Sequence, residues 1–371
     1  MQRRLKVKFP LLYNVTITLL FLWLLFFILT EFQNYLKPIT LGVLFAYLLY
    51  PIANYIEKKG INRIFANIIS ILIGIAVLAG VGLFLYKQVS SFLTDMPGMK
   101  QQASHNIHHI INSFENALNI ESGEMQISFT EFADKIFNNS AEMLKSFFTT
   151  TFNTVFAIFI MPVYVFFLLF YRDKFRTFIL MLVPEHKHHK AISIIDEVNT
   201  VAVRYITGVF FVVTILVFIN TIGFYIIGLK FAALLGLIAA LMNFIPYYGT
   251  IIGYSFPFFI SVFTMDSPSY AFLVILQFII VQFTENNILT PNIVGSHVNI
   301  NPFMIILAIT FGGFVWGLPG MFIAVPFAAV LRVLGENIDS LKPLGYLLGQ
   351  KGAEEHSISF KNIFKKNSNL Y

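Results

Sequence analysis

No cysteine occurs in the 371 residues of this chain. That absence excludes disulfides, thiolate metal sites and cysteine nucleophiles, and it leaves the redox compartment open. Charge is scarce as well: Asp, Glu, Lys and Arg make up 12% of the chain, against 57% hydrophobic residues. A soluble domain carries roughly twice that charged fraction. With a mean hydropathy of +0.75, the composition is that of a multi-pass membrane protein. There is no G-x-x-x-x-G-K-[ST] run, so no phosphate-binding loop, and no H-E-x-x-H pair for a zinc protease. The formal charge of +6 is no nucleic-acid footprint, because much of it gathers at the termini and in short loops. Two histidine groups, His105, His108 and His109, and His186, His188 and His189, read as a solvated helix face and an interfacial contact with anionic lipid. The expectation is no enzyme, no resident cofactor or metal, and no nucleic-acid partner.

What the chain has in quantity is long apolar runs. They fall at about 11–30, 39–56, 64–86, 149–171, 201–228, 231–263, 270–290 and 302–332, each near the length that spans a bilayer. The first is too long for a signal-peptide core and reads as a membrane helix. The expected fold is an all-α polytopic membrane protein of about eight transmembrane helices, with interrupted or re-entrant late segments and one extramembrane helical insertion. Its parts are helices 1–3 over 1–86, the amphipathic insertion over 87–148, and a fourth helix with a cytoplasmic interfacial elbow over 149–200. A core with broken helices follows over 201–335, then a cytoplasmic tail over 336–371. Within the insertion, Ile107, Ile110, Ile111, Phe114 and Leu118, then Phe129, Phe132, Ile136, Met143 and Phe147, recur at helical spacing and suggest two helices. Basic residues at Arg3, Arg4, Lys6 and Lys8, at Lys58, Lys59 and Arg63, and at Arg172, Lys174, Arg176, Lys187 and Lys190 place both termini in the cytoplasm.

Between Arg204 and Arg332 the formal charges are Lys230, Asp266 and Glu285. A carboxylate near the centre of a membrane helix costs roughly 2.5–3.5 kcal/mol, and such a group is a functional-site hypothesis by default. Gln282, Asn286 and Asn287 surround Glu285, and Pro291 interrupts the helix just beyond. Gln277, Gln282, Thr284 and Glu285 share one sector of a helical wheel, and Asn220, Thr214 and Thr221 add polar groups to the preceding long run. Neutral amides with one carboxylate suit a proton, a sodium ion or a polyhydroxylated solute. The alternative is a carboxylate at a helix end, contacting headgroups in the interface.

Two late runs are broken. Asn243, Pro246, Tyr247 and Gly249 interrupt one; Gly312, Gly313, Gly317, Pro319 and Gly320 interrupt the other. Proline removes a backbone donor, and broken backbone at membrane depth is tolerated only where protein or a wet cavity re-satisfies it. Paired Gly/Pro-interrupted segments point to a transporter binding site. Glu285, Asn286, Asn287, Gln282, Pro291, Asn243, Pro246, Tyr247 and Gly249 are therefore the candidate transport and coupling residues. Gly312, Gly313, Gly317, Pro319 and Gly320 are candidates for gating or close packing. Bulk at Gly249 or Gly320 is expected to block flux more than stability, and bulk at Gly74 or Gly80, in a fixed scaffold, to do the reverse. The other possibility is kinked packing helices or re-entrant hairpins that touch no ligand.

Taken in order, these pieces resemble the AI-2E family of bacterial membrane proteins. The resemblance rests on PITLGVLFAYLLYPIANYIEKKG over 38–60, RYITG over 204–208, NFIPYYG over 243–249, ENNILTPNIVG over 285–295 and GGFVWGLPGMFIAVP over 312–326. It implies a multi-pass transporter of the bacterial inner membrane, a homo-oligomer with a pentamer among its forms, moving its late helices in an elevator-like way. It also implies export of a small polar solute of the autoinducer-2 kind, with sodium/proton antiport as the alternative cargo. A non-transporting scaffold or a channel is the reading from outside that class. The expected partners are the lipid bilayer, the solute, a proton or sodium ion, and other copies of the chain.

Overall fold

The computed structural model describes residues 11–118, 155–245, 248–267, 269–295 and 300–350, with isolated positions at 135, 139 and 142. These residues are 90% helical; no strand occurs among them, and the chain is an all-α polytopic membrane protein. Five described helices are long and apolar enough to cross a bilayer, and shorter apolar ones accompany them. Helix α1 runs Leu11–Glu31, α2 Gln33–Lys58 and α3 Arg63–Leu118. Then come α4 over Val155–Phe170, the short α5 over Arg172–Met181 and the long α6 over His188–Ile227. Helices α7 (Ala232–Met242) and α8 (Tyr248–Thr264) precede α9, Ser269–Ile293. The described chain closes with α10 (Pro302–Trp316), α11 (Leu318–Asn337) and α12 (Lys342–Leu348).

Local chemistry sets the boundaries that matter for the site. Helix α6 stops at Gly228, whose φ of 94° is open to glycine, and whose N–H returns to Phe224 and Tyr225 carbonyls. Asn301 caps α10 by accepting from Phe303 N at 3.0 Å, with Pro302 fixing the first helical φ. The chain then reverses at Gly317, φ 68°, and re-enters a helix through Pro319.

The two interrupted segments are helical hairpins, not kinked spans. In the first, α7 tightens into successive three-residue turns at Asn243, Phe244 and Ile245, and α8 returns along it. Gly253 lies against Ala239 backbone and Gly249 against the Met242 carbonyl. Both ends of this hairpin meet the same part of α3: Lys230 pairs with Asp95 at 2.8 Å, and Asn106 Nδ2 donates to the Phe263 and Met265 carbonyls at 3.0 and 2.8 Å. In the second hairpin Gly312 and Gly320 bring α10 and α11 into backbone contact.

The break placed between 86 and 87 coincides with no helix end. Helix α3 continues without interruption for 56 residues, about 84 Å at the usual rise. Its first turns pack on α2 and α4, where Ala66, Asn67 and Ser70 are fully buried. Its far half buries Val89, Phe92, Met96, Met99, Ala103 and Ile107 against Leu229, Phe231, Phe263 and their neighbours on the first hairpin. That packing holds Pro97 inside the helix. Between the two packed ends, residues 75–84 are exposed on every side. The second expected helix of the insertion, from Phe129 to Phe147, lies outside the described residues. The division at 335/336 also softens: Gly335 and Gly345 touch backbone to backbone, and Asn301 N donates to the Leu348 carbonyl at 2.8 Å. The chain after 335 is thus docked on the core as far as the described residues run.

Candidate functional site

Helix α9 carries Glu285 at the start of a wide π turn, Glu285–Leu289, in which Thr290 N–H reaches back to the Glu285 carbonyl. Pro291 explains the widening: its ring excludes the normal contact with the preceding turn, and a π turn makes room at the expense of one residue. Such turns recur at functional sites. Glu285 is half-buried, and Gln282 Nε2 donates to its Oε2 at 3.1 Å. The same amide donates to Asn286 Oδ1 at 3.1 Å, while Gln282 Oε1 is buried without a partner.

The second donor comes from the first hairpin. Asn243 stands at its tip, accepts from Thr250 Oγ1 at 3.1 Å through Oδ1, and so keeps its NH2 for the Glu285 carboxylate it contacts. Behind them lies a buried polar layer. Tyr254 donates to Asn220 Oδ1, and Gln277 Nε2 donates to the Asn220 carbonyl at 3.2 Å. Gln277 Oε1, like that of Gln282, is buried and unpartnered. Among the described residues no Lys or Arg forms an ion pair with Glu285. The arrangement offers one carboxylate, amide donors and spare carbonyl oxygens at the point where a broken segment meets a membrane helix.

Elsewhere the wall is apolar and close. Gly208 on α6 faces the backbone of Ile293 and Val294 at 3.1–3.2 Å from an added Cβ, which seats the end of α9. The tip of the first hairpin rests on the second: Ile245 packs with Ile309 and Val325, and the Phe244 and Phe322 rings meet edge-on at 5.1 Å.

Sequence comparison speaks to the same region. The profile of the AI-2E family transporter matches residues 15–339. The chain belongs to the AI-2E family. Among its relatives, YrrI of Bacillus subtilis is 28% identical over 80% of this chain and 84% of its own length. The AI-2 transport protein TqsA of Escherichia coli is 24% identical over 85% and 90% of the two chains, and PerM of Escherichia coli 22% over 82% and 87%. This AI-2E protein is a multi-pass membrane transporter.

Within this AI-2E chain the structure brings Glu285, Gln282, Asn286 and Asn243 together. It leaves Asn287 out: that side chain is exposed and donates to the Phe283 carbonyl of its own helix at 2.9 Å. Pro291 is exposed and acts on backbone shape alone. Pro246 and Tyr247 lie outside the described residues. Gly312, Gly313 and Gly320 face backbone or Met321 within their own hairpin, so close packing is what their geometry accounts for. Two expectations about bulk change as a result. An added Cβ at Gly249 or Gly320 overlaps a carbonyl oxygen, of Met242 or Gly312, so substitution there strikes the fold first. Gly80 has no atom within 4 Å of an added Cβ, and Gly74 meets Leu49 at 3.3 Å, so the scaffold position at 80 is the tolerant one. Thr250 and Tyr254 were not singled out by composition. Their signal is the i,i+4 spacing that sets both on one face of α8 behind Asn243.

Proposed function

We propose that the protein is a secondary transporter that exports a small polar solute and couples the export to a proton or cation at Glu285. The observation that carries this reading is a half-buried carboxylate held by two neutral amides with no cationic partner among the described residues. With no fixed cation beside it among the described residues, its charge would respond to a change in hydration or in bound ligand. The name of TqsA attaches AI-2 to that relative. Carried to this chain, it suggests a polyhydroxylated cargo whose hydroxyls suit Gln282, Asn286 and Asn243. In proteoliposomes Glu285→Gln is expected to lower gradient-driven solute flux by about fivefold to thirtyfold, about one to two kcal/mol of coupling, with unchanged thermal unfolding. An unchanged rate and pH profile would return Glu285 to an interfacial role.

A sodium/proton antiporter is the second reading. It is favoured by the spare buried oxygens Gln277 Oε1 and Gln282 Oε1 on the helix that bears the carboxylate, since broken membrane segments hold sodium through such oxygens. Sodium-dependent proton release from solute-free proteoliposomes separates the two.

The topology that fits is α1, α2, α3, α4, α6 and α9 crossing the bacterial cytoplasmic membrane, with both termini inside. The first hairpin then enters from outside and the second from inside, and α9 descends toward the cytoplasm. Exposed apolar faces on α1 and α3 are available to lipid and to other copies in a homo-oligomer.

A further inference from the structure

Away from Glu285, α2, α4, α5 and α6 enclose a cavity of about 360 Å³, within the size range of small-ligand sites. Its inner wall is apolar: Val43, Ala46, Leu168, Leu169, Ile195 and Val203. Its rim holds Arg172, Asp173 and Arg176, and Tyr47 donates across it to Asn199 Oδ1 at 3.0 Å. Arg172 Nη2 is paired with Glu57 at 2.5 Å and its guanidinium lies 5.3 Å from the Tyr50 ring. Arg172 Nη1 is buried without a partner. Arg176 pairs with Asp196 at 3.0 Å and Asp173 with Arg63 at 2.8 Å.

The setting says what kind of molecule reaches this cavity. Helix α5 leaves Phe178 58% and Met181 77% exposed beside Arg172, Lys174 and Arg176. That is the composition of a helix lying in the membrane interface, apolar side in the acyl boundary. The cavity opens behind this helix, with Phe175 and Ile179 in its wall. An occupant from the aqueous phase alone would leave the apolar wall unfilled. A purely hydrocarbon occupant would leave the Arg172 N–H without an acceptor, and a buried unpaired donor is costly.

We infer that this cavity binds one membrane phospholipid, its phosphodiester on Arg172 and Arg176 and part of an acyl chain along Val43, Ala46, Leu169 and Val203. Guanidinium groups bind phosphate by paired charge-assisted hydrogen bonds; Arg176 is 44% exposed at the rim, and beside it Arg172 Nη1 is a donor left without a partner. The lipid joins α2, α4 and α6 at the elbow and owes nothing to Glu285.

Native mass spectrometry of the full chain, released from bilayers of phosphatidylethanolamine and phosphatidylglycerol, tests this. The wild type is expected to retain one phospholipid. Arg176→Gln should lower the bound fraction by about threefold to tenfold, the range of one charge-assisted contact. Val43→Trp, which fills the cavity, should remove it. If Val43→Trp fails to fold, Arg176→Gln and Asn199→Leu carry the same comparison. Equal retention by the wild type and Arg176→Gln overturns the assignment. Glycerol 3-phosphate is the water-soluble arm: failure to displace the lipid supports a membrane source, and displacement at equal affinity means a soluble phosphoester site and overturns the lipid assignment.

Discussion

One hydroxyl, that of Tyr254, decides whether the Asn220 side chain behind Glu285 is satisfied. Asn220 is 1% exposed and its side-chain oxygen takes the Tyr254 proton. Tyr254→Phe keeps the ring against Phe224 and Phe278, at 5.8 and 4.8 Å, and orphans that oxygen. The expected loss is about 1–3 kcal/mol, read as a lower unfolding temperature in detergent. Glu285, Gln282 and Asn243 were legible in the sequence because polar groups stand out against hydrocarbon-facing neighbours. Tyr254 and Thr250 were not. They are ordinary in a chain with 16 tyrosines, and their role exists only once α8 folds back along α7.

Glycine and proline marked where the late elements break, but not how. A kinked span and a reversal use the same residues; the difference lies in which faces pair, here Gly249 and Gly253 on Met242 and Ala239. At α3 the apolar residues recurring at helical spacing after residue 86 suggested separate amphipathic helices, whereas one helix runs unbroken through Pro97. Proline inside a helix costs about 3 kcal/mol, and burial of Met96 and Met99 on the first hairpin offsets it. Glycine substitutions separate the elements. Gly320→Val, which meets the Gly312 carbonyl, should lower the unfolding temperature sharply. Gly80→Ala, in open space within a helix, should raise stability by roughly 0.5–1 kcal/mol. Thermal unfolding of both variants beside the wild type checks the pair; a tolerant Gly320→Val would mean the second hairpin opens freely.

At the scale of the molecule, the proposed topology has the first hairpin reverse the direction of α9 relative to a chain of simple crossings. The cysteine-free background makes this measurable. Cysteine at Gln101 and at Asp266 should react with an impermeant reagent from outside, and cysteine at Lys187 and at Asp339 only after permeabilisation. Labelling at 266 with the pattern of 187 would mean that the first hairpin is a single crossing. The basic loops predict a sidedness for the early chain, whereas the loop at Asp266, without Lys or Arg, carries no such mark. Helix α3 then has an outcome of its own. One rod is gripped at its base by α2 and α4 and at its top by the hairpin that brings Asn243 to Glu285, with 75–84 bare between the grips. In the proposed topology this bare length crosses the bilayer, and because the hydrogen-bonded helix fixes its rise, it would work as a caliper on bilayer thickness. A thinner or thicker bilayer must tilt the rod, and the tilt is delivered to the tip of the hairpin. Flux in vesicles of graded acyl-chain length is expected to pass through an optimum, with Gly80→Ala sharpening it.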